Sequence, residues 1–305
     1  MTDAVAANVC AVVVTYRPDA DALGRLLAAV IPQVGSVVVV DNGDPAWRAG
    51  MSEATAGAIQ MQSMPTNVGL AAAQNAGIAW AREHGYRYVL ILDQDSTPGP
   101  AMVDRLLAVI ASPPDGSRLA AVGPVFEDEF GDGRAPFVRI GFPLNRKLWC
   151  TRPDAVLACD FLISSGSLIP LEVIDVLGPM NEGLFIDNVD LEWCFRAAAR
   201  GYRLYGVCAA SMRHRLGDAR RPLPLGLGSV VVHGPVRLYY MMRNRLRLYR
   251  MPHTPWIWIA QDLPRLLVKL ALFSVLVGPR LRNLRFMLRG IRDGVRGREG
   301  PCPIP

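Results

Sequence analysis

Asp93-Gln94-Asp95 is the tightest cluster of chemistry-bearing residues in the chain. Side chains alternate along a strand, so carboxylates two residues apart project to the same side. At the end of the apolar run YVLIL such a pair forms a hard-oxygen half-site for Mg²⁺ or Mn²⁺ on a diphosphate, or else a solvated acidic turn. A second acidic cluster, Asp187, Asp190 and Glu192, lies in LFIDNVDLEWCFR. Asp190 falls at or just before the first turn of a helix. A carboxylate there can serve as a general base beside a cleft or simply complement the helix dipole. Trp193 in the same run suits a core better than a substrate platform. His214, between Arg213 and Arg215, can complete a metal site or touch phosphate, or be structural. Asp41 ends another apolar run, where it can accept the N3–H of a uracil or thymine ring or open an Asx turn. Asn67-Val68-Gly69 precedes a helix whose free N–H groups attract an anion; capping by Asn67 is the plainer role.

The elements that must hold these residues alternate in kind. Residues 9–14, 36–41 and 88–93 are short, β-branched and apolar on both faces, which predicts buried parallel strands. A weaker strand is expected at 59–63. Helices are expected over 20–30, from Gly69 to Glu83, and over 98–110. Strands alternating with helices predict an α/β fold with a parallel sheet and right-handed crossovers. Ligands of such sheets bind at the carboxyl ends of the strands, where Asp41 and Asp93 fall. Beyond residue 120 the pattern predicts a strand at AAVGPVF, an acidic loop at 127–133 and a strand at FLISSGSLI (161–169). Short helices at 171–178 and 190–201 and a strand at 202–210 leading to His214 follow. Residues 222–235 read as a Pro/Gly-rich linker between a catalytic domain (1–221) and a helical region (222–305).

Several classes are excluded. The turn Thr15-Tyr16-Arg17 lacks both G-x-G-x-x-G and a phosphate-binding P-loop, against a dinucleotide-binding domain or a P-loop phosphotransferase. It also lacks the basic Gly-rich loop of a nucleotidyltransferase. With 51% hydrophobic and 20% charged residues the chain can build a full core and is not disordered. No stretch is long and apolar enough for a membrane span. The acidic start MTDAVAANVC reads as no signal peptide. The six cysteines form no C-x-x-C pair and read as reduced cytosolic thiols, neither a disulfide framework nor a zinc site.

The net charge of +6 conceals a split: residues 1–212 carry 15 basic and 23 acidic groups, residues 213–305 carry 18 and 4. Over 281–296, Leu281, Leu284, Leu288, Ile291 and Val295 form one helical stripe, with arginines at 282, 285, 289, 292 and 296 one residue on. Such a helix suits an anionic membrane surface or a packed cap or dimer contact. Its regular apolar stripe argues against nucleic acid as partner. Residues 256–277 are apolar but interrupted by Asp262, Arg265 and Lys269, and suit an interfacial position with Trp256 and Trp258 at headgroup level.

Taken in order, VVVTYRP, VVVVDNG, NVGLAAAQNAGI, YVLILDQDS, FLISSGSLIP, LFIDNVDLEWCFRAAARGYRL, His214 and the closing HGPVRLYYMMRN resemble the family-2 inverting glycosyltransferases of GT-A fold. The similarity is strongest to bacterial rhamnosyltransferases that use dTDP-L-rhamnose, and it spans about residues 9–250. It implies a Rossmann-like, mostly parallel sheet flanked by helices. Thr15 and Tyr16 would line the nucleotide pocket and Asp41 would bind the base; Asn67, Gly69 and Asn75 would lie near the nucleotide. Asp93 and Asp95 would hold Mg²⁺ or Mn²⁺ on the diphosphate with His214, and Ser165, Gly166, Asp187, Glu192 and Trp193 would line the substrate site. Asp190, six residues before Arg196, matches the catalytic base. Val189 stands where many family members carry an acid, so Asp187 and Glu192 stay as alternatives. The implied reaction transfers rhamnose from a dTDP-sugar to a lipid-linked or oligosaccharide acceptor of a cell-surface glycan such as O-antigen. The implied location is cytoplasmic, peripheral on the inner face of the membrane. The alternatives are another nucleotide sugar, a hexose or galactofuranose donor, with the same fold and mechanism, or a non-catalytic nucleic-acid- or membrane-binding protein.

Overall fold

The computed structural model describes residues 6–43, 47–48, 51–128, 133–214, 219–222 and 229–303. Asp44, Arg215, the first five residues and parts of the 127–133 loop and the 222–235 segment lie outside them.

The first half alternates as its sequence predicts. β1 (Val9–Thr15) is buried along its whole length. α1 (Ala20–Val30) starts where Asp19 accepts a hydrogen bond from the Ala22 N–H, and buries Leu23, Leu26, Leu27 and Val30 at helical spacing. β2 (Ser36–Asp41), the short α2 (Glu53–Gly57) and β3 (Gln60–Ser63) follow. Then come α3 (Leu70–Glu83) and β4 (Tyr88–Asp93). The helix expected from residue 98 begins later: Ser96–Pro98 form β5, and α4 spans Met102–Ala111.

β6 (Leu119–Asp128), the hairpin β7 (Phe137–Arg139) and β8 (Arg146–Leu148), and β9 (Val156–Cys159) lead to β10 (Leu168–Pro170). Of the strand expected over 161–169, only this end is a strand. Residues 162–167 form a turn, with Gly166 at φ +83, a backbone conformation that breaks pleated pairing. α5 (Leu171–Leu177), α6 (Val189–Ala199) and the long β11 (Arg203–His214) complete the body.

β1, β2, β3 and β4 pair in parallel, in the order β3-β2-β1-β4. β10 then joins antiparallel, followed by β6, β11 and β5, with β9 on β11. The sheet is therefore mixed: its first half and the β6–β11 pairing are parallel, while β5, β9 and β10 run the other way. Two core layers clothe its faces. One is built around α1 and α4, the other around α3, α5 and α6.

The segment read as a linker holds a two-stranded hairpin, β12 (Ala219–Pro222) with β13 (Ser229–Val232). α7 (Pro235–Leu248), α8 (Trp256–Val275) and α9 (Arg280–Val295) follow. They are not a detached appendage: Trp258 packs edge-on against Phe195 of α6. α9 lies close on α7, where a Cβ on Gly290 would come within 2.3 Å of the Tyr239 carbonyl oxygen.

The cysteine expectation is corrected. Cys150 and Cys208 are disulfide-bonded, with Cα atoms 5.6 Å apart. They are 58 residues apart in sequence. Antiparallel pairing of β9 with β11 brings the two segments together, so no local spacing signals it. Cys10, Cys159, Cys194 and Cys302 are free and buried.

Candidate active site

The carboxylate pair sits where β4 ends, with Asp93 in register with Val14 of β1. After the Gln94-Asp95 turn the chain re-enters as β5, which pairs antiparallel with the end of β11 and sets Ser96 opposite His214. That register delivers the imidazole to the carboxylates from 118 residues away. His214 Nε2 lies 4.0 Å from Asp93 Oδ2, and Nδ1 lies 3.6 Å from Asp95 Oδ1. One ligand atom from each of Asp93, Asp95 and His214 falls within 4.8 Å of the others.

A hydroxyl relay ties His214 to the Asp93 backbone. Ser165 Oγ accepts the Asp93 N–H at 3.0 Å, and Ser96 Oγ lies 2.5 Å from Ser165 Oγ and 2.9 Å from His214 Nδ1. A proton on Nδ1 donated to Ser96 leaves the Nε2 lone pair facing Asp93, the arrangement a metal-binding imidazole needs. Two carboxylates and one imidazole suit a hard divalent cation that keeps its remaining positions for water and phosphate. The donor set therefore fits Mg²⁺ or Mn²⁺. Burial pushes the Asp93 carboxyl above its ordinary range; His214 opposes this.

These residues floor a cleft of about 530 Å³. Tyr16, Asn42, Asn67 and Gly69 line one side, Ile163 and Ser164 another, and residues 185–190 with Arg237 a third. Asp190 is in its wall, half-buried on the first turn of α6. Its carboxylate accepts the N–H groups of Leu191 at 2.8 Å and Ser164 at 3.4 Å. Burial dominates nevertheless and, helped by the Asp93 charge, holds its pKa up at about 6. That value fits a base working near neutral pH. Asp187 faces the same cleft but is paired with Arg237 at 3.2 Å. Burial raises its carboxyl, opposed by Arg237.

Other expected residues lie outside the lining. Glu192 is buried, bonded to Arg196 at 2.7 Å and facing His253 at 2.9 Å. Trp193 is core, its indole N–H donating to the Gly178 carbonyl. Asn75 ties α3 to the Met180 backbone and Glu182. Asp41 is buried, 3.7 Å from Arg48, while its neighbour Asn42 faces the cleft and accepts the Val68 N–H. Thr15 is buried between the lining residues Val14 and Tyr16. Ser165 and Gly166 stand behind the lining, Ser165 in the relay and Gly166 packed against Pro124.

The start of α3 is also corrected as an anion site. The N–H groups of Leu70 and Ala71 both point to the Phe185 carbonyl, at 2.6 and 3.4 Å, and Asn67 caps the Gly69 N–H. The helix end thus pins the loop that leads to Asp190. Gly69 has φ +92, and a Cβ there would lie 2.6 Å from the Phe185 ring. Gly69→Ala is expected to lose about 2 kcal/mol of stability, visible as a lower Tm, with donor turnover falling alongside.

Sequence reasoning missed Gln94, Ser96, Arg237 and the anchors of the 183–188 loop. Gln94 exchanges hydrogen bonds with the Tyr16 backbone, its Oε1 accepting at 2.7 Å. Phe185, Asp187 and Asn188 all have φ near +65. Such backbone needs outside support. Asn244 Nδ2 supplies it, donating to the Leu184, Ile186 and Asp187 carbonyls at 2.7–2.9 Å. Arg243 donates to Gly183, Leu184 and Gly300, and Tyr240 stacks on Phe185. Arg-Asn in HGPVRLYYMMRN is the only trace of this in sequence.

A sheet with a parallel half ending in D-x-D, a histidine returned to it by the last long strand and a cleft-facing carboxylate on the helix before that strand define the GT-A class of glycosyltransferases. Solved structures share the fold. S. aureus TarS 1-349 in complex with UDP-GlcNAc superposes with a TM-score of 0.58 at 15% identity, over 95% of this chain and 81% of that one. GalNAc-T7 with UDP, GalNAc and Mn²⁺ gives 0.59 at 14% identity over 94% of this chain, which spans 56% of that longer one. The model for glycosyl transferase family 2 matches residues 10–168. The dTDP-rhamnosyl transferase RfbF of Shigella flexneri is 30% identical over 294 residues, 96% of this chain and 97% of its own. The chain belongs to glycosyl transferase family 2 and is a glycosyltransferase.

Proposed function

We propose that this glycosyltransferase moves L-rhamnose from dTDP-L-rhamnose to a hydroxyl of a cell-surface glycan, lipid-linked or oligosaccharide, with inversion at the anomeric carbon. The observation that carries the donor is similarity to a dTDP-rhamnosyl transferase along nearly the whole chain. The cleft supports the mechanism. Asp190 takes the proton from the acceptor hydroxyl as its oxygen bonds to the anomeric carbon. The bond from that carbon to the diphosphate breaks in the same displacement, and dTDP leaves. Arg237 offers positive charge beside the departing diphosphate. Asp93, Asp95 and His214 would hold Mg²⁺ or Mn²⁺, which when bound neutralises charge on the diphosphate. The body through residue 221 acts as the catalytic domain, with the helical region beyond it shaping the loop that carries the base. The enzyme works in the cytoplasm, peripheral on the inner face of the membrane that bears its acceptor.

A panel of nucleotide sugars with Mg²⁺ or Mn²⁺ and a lipid extract tests this through nucleoside diphosphate release. Release is expected from dTDP-rhamnose alone, falling at least about 10²-fold in Asp95→Ala. Release from another donor would overturn the rhamnose assignment, and no release from any donor would overturn the transfer itself.

A further inference from the structure

α8 is apolar on two sides. Its buried side packs Trp258, Leu266 and Phe273 and also takes in polar residues: Asp262 pairs with Arg245 at 3.2 Å and accepts from Tyr249, and half-buried Lys269 lies against Met241 and the Phe273 ring. Burial, reinforced by Arg245, lowers the Lys269 pKa to about 8. The exposed side runs Trp256, Ala260, Leu263, Leu267, Ala271, Val275, at spacings of three and four, so one stripe facing solvent is wholly apolar. α9 repeats the pattern. It packs on α7 through Phe286, Met287, Gly290 and Gly294 and on α8 through Asn283, while Leu284 and Ile291 of its stripe are half-buried. Leu281 (84% exposed), Leu288 and Val295 face outward beside Arg282, Arg285, Arg292 and Arg296. The turn joining the helices exposes Leu276 as well.

An apolar surface of this extent needs a cover. No described helix is long and apolar enough to cross a membrane, so this one lies on its partner. We infer that the outer faces of α8 and α9 dock on an anionic phospholipid bilayer, apolar side chains entering the headgroup boundary and arginines binding lipid phosphates. The charge selects the occupant. A second copy would bring the same arginine row against this one, in a segment carrying 18 basic and 4 acidic groups from residue 213 on. An anionic surface is instead complementary to it. Glycan transfer to a lipid-borne acceptor, as proposed above, gives this surface its purpose, and the surface rests on that reading for purpose alone.

Flotation of the full-length protein with vesicles tests it, using phosphatidylcholine alone or mixed with phosphatidylglycerol. Binding is expected only to the mixed vesicles, weakening with salt. It should fall at least about tenfold in Leu281→Glu/Leu288→Glu and in Arg285→Glu/Arg296→Glu. Both variants should keep wild-type Tm and wild-type dTDP release toward a water-soluble acceptor. Failure to float with either vesicle, or flotation untouched by both variants, would overturn the inference. So would a dimer in sedimentation analysis that both variants dissolve in the absence of lipid binding. Vesicle binding without release from dTDP-rhamnose would instead strike the donor assignment and leave the surface standing.

Discussion

Asp190→Asn is expected to lower kcat by about 10³-fold while raising Tm. The two effects share a cause. Burial at the cleft wall lifts the Asp190 pKa from an ordinary 3.8 to about 6. The folded protein therefore binds this proton more tightly than the unfolded chain. Ionised Asp190 costs stability at every pH above 6, and the cost fades as pH falls from 6 towards 4. Asparagine removes it, a gain of about 1–3 kcal/mol at neutral pH after allowance for partial exposure. The gain should shrink on approach to pH 4. In the wild type, kcat/KM should fall below about pH 6 as the base is protonated. The paired experiment separates the three acidic candidates. Asp187→Asn breaks an ion pair with Arg237, and Glu192→Gln disturbs a buried contact with Arg196 and His253. Both should destabilise. Retention of activity within tenfold in Asp190→Asn, or a lower Tm, would move the base elsewhere.

The largest loss of stability is expected at Arg243. It is fully buried, stacks near the Tyr239 and Tyr240 rings, and donates to the Gly183, Leu184 and Gly300 carbonyls and to Asn244 Oδ1. Arg243→Ala leaves those acceptors unpaired around a cavity and should cost about 3–5 kcal/mol, or on the order of 10 °C in Tm. Lysine should not rescue it, since an ammonium cannot fill the planar fork. Asn244→Ala tests the loop more selectively. With Arg243 in place the protein should fold, but residues 184–187 lose their shared donor, so kcat should drop with little change in donor KM. A Tm within 2 °C of wild type in Arg243→Ala, a margin of about 1 kcal/mol, would show that the loop holds its own conformation.

The parallel half of the sheet was legible because residues 9–14, 36–41 and 88–93 are apolar on both faces, which only a doubly covered strand tolerates. Asp93, Asp95 and His214 stood out because each ends or follows a strand, whereas Asp190, on the first turn of a helix, was singled out by its place six residues before Arg196. Where strand or helix pattern competed with tertiary demands, the reading failed. FLISSGSLI has the composition of a strand, yet Ser165 is spent on the Asp93 backbone and the relay to His214, and Ser167 turns back to the Ile163 carbonyl. Asp41, Asn75, Glu192 and Trp193 have suitable chemistry but bury it in structural bonds, and which side of an element faces the cleft depends on partners far along the chain. The apolar stripe of α9 was read correctly as a stripe. Its partial exposure could not be read, because the buried side mixes Phe286 and Met287 with glycines and Asn283, which carry no hydrophobic signal.

The family match ends at residue 168, while Asp190 opens a helix behind a loop secured by Arg243 and Asn244. The family model thus takes in the D-x-D but stops short of the proposed base, although likeness to the Shigella enzyme runs along both. On the function proposed above, exchanges at Arg243 and Asn244 would detune acceptor deprotonation from a distance, whereas Arg237 on the same helix would act on the donor, so α7 is a tuning point for both halves of the reaction.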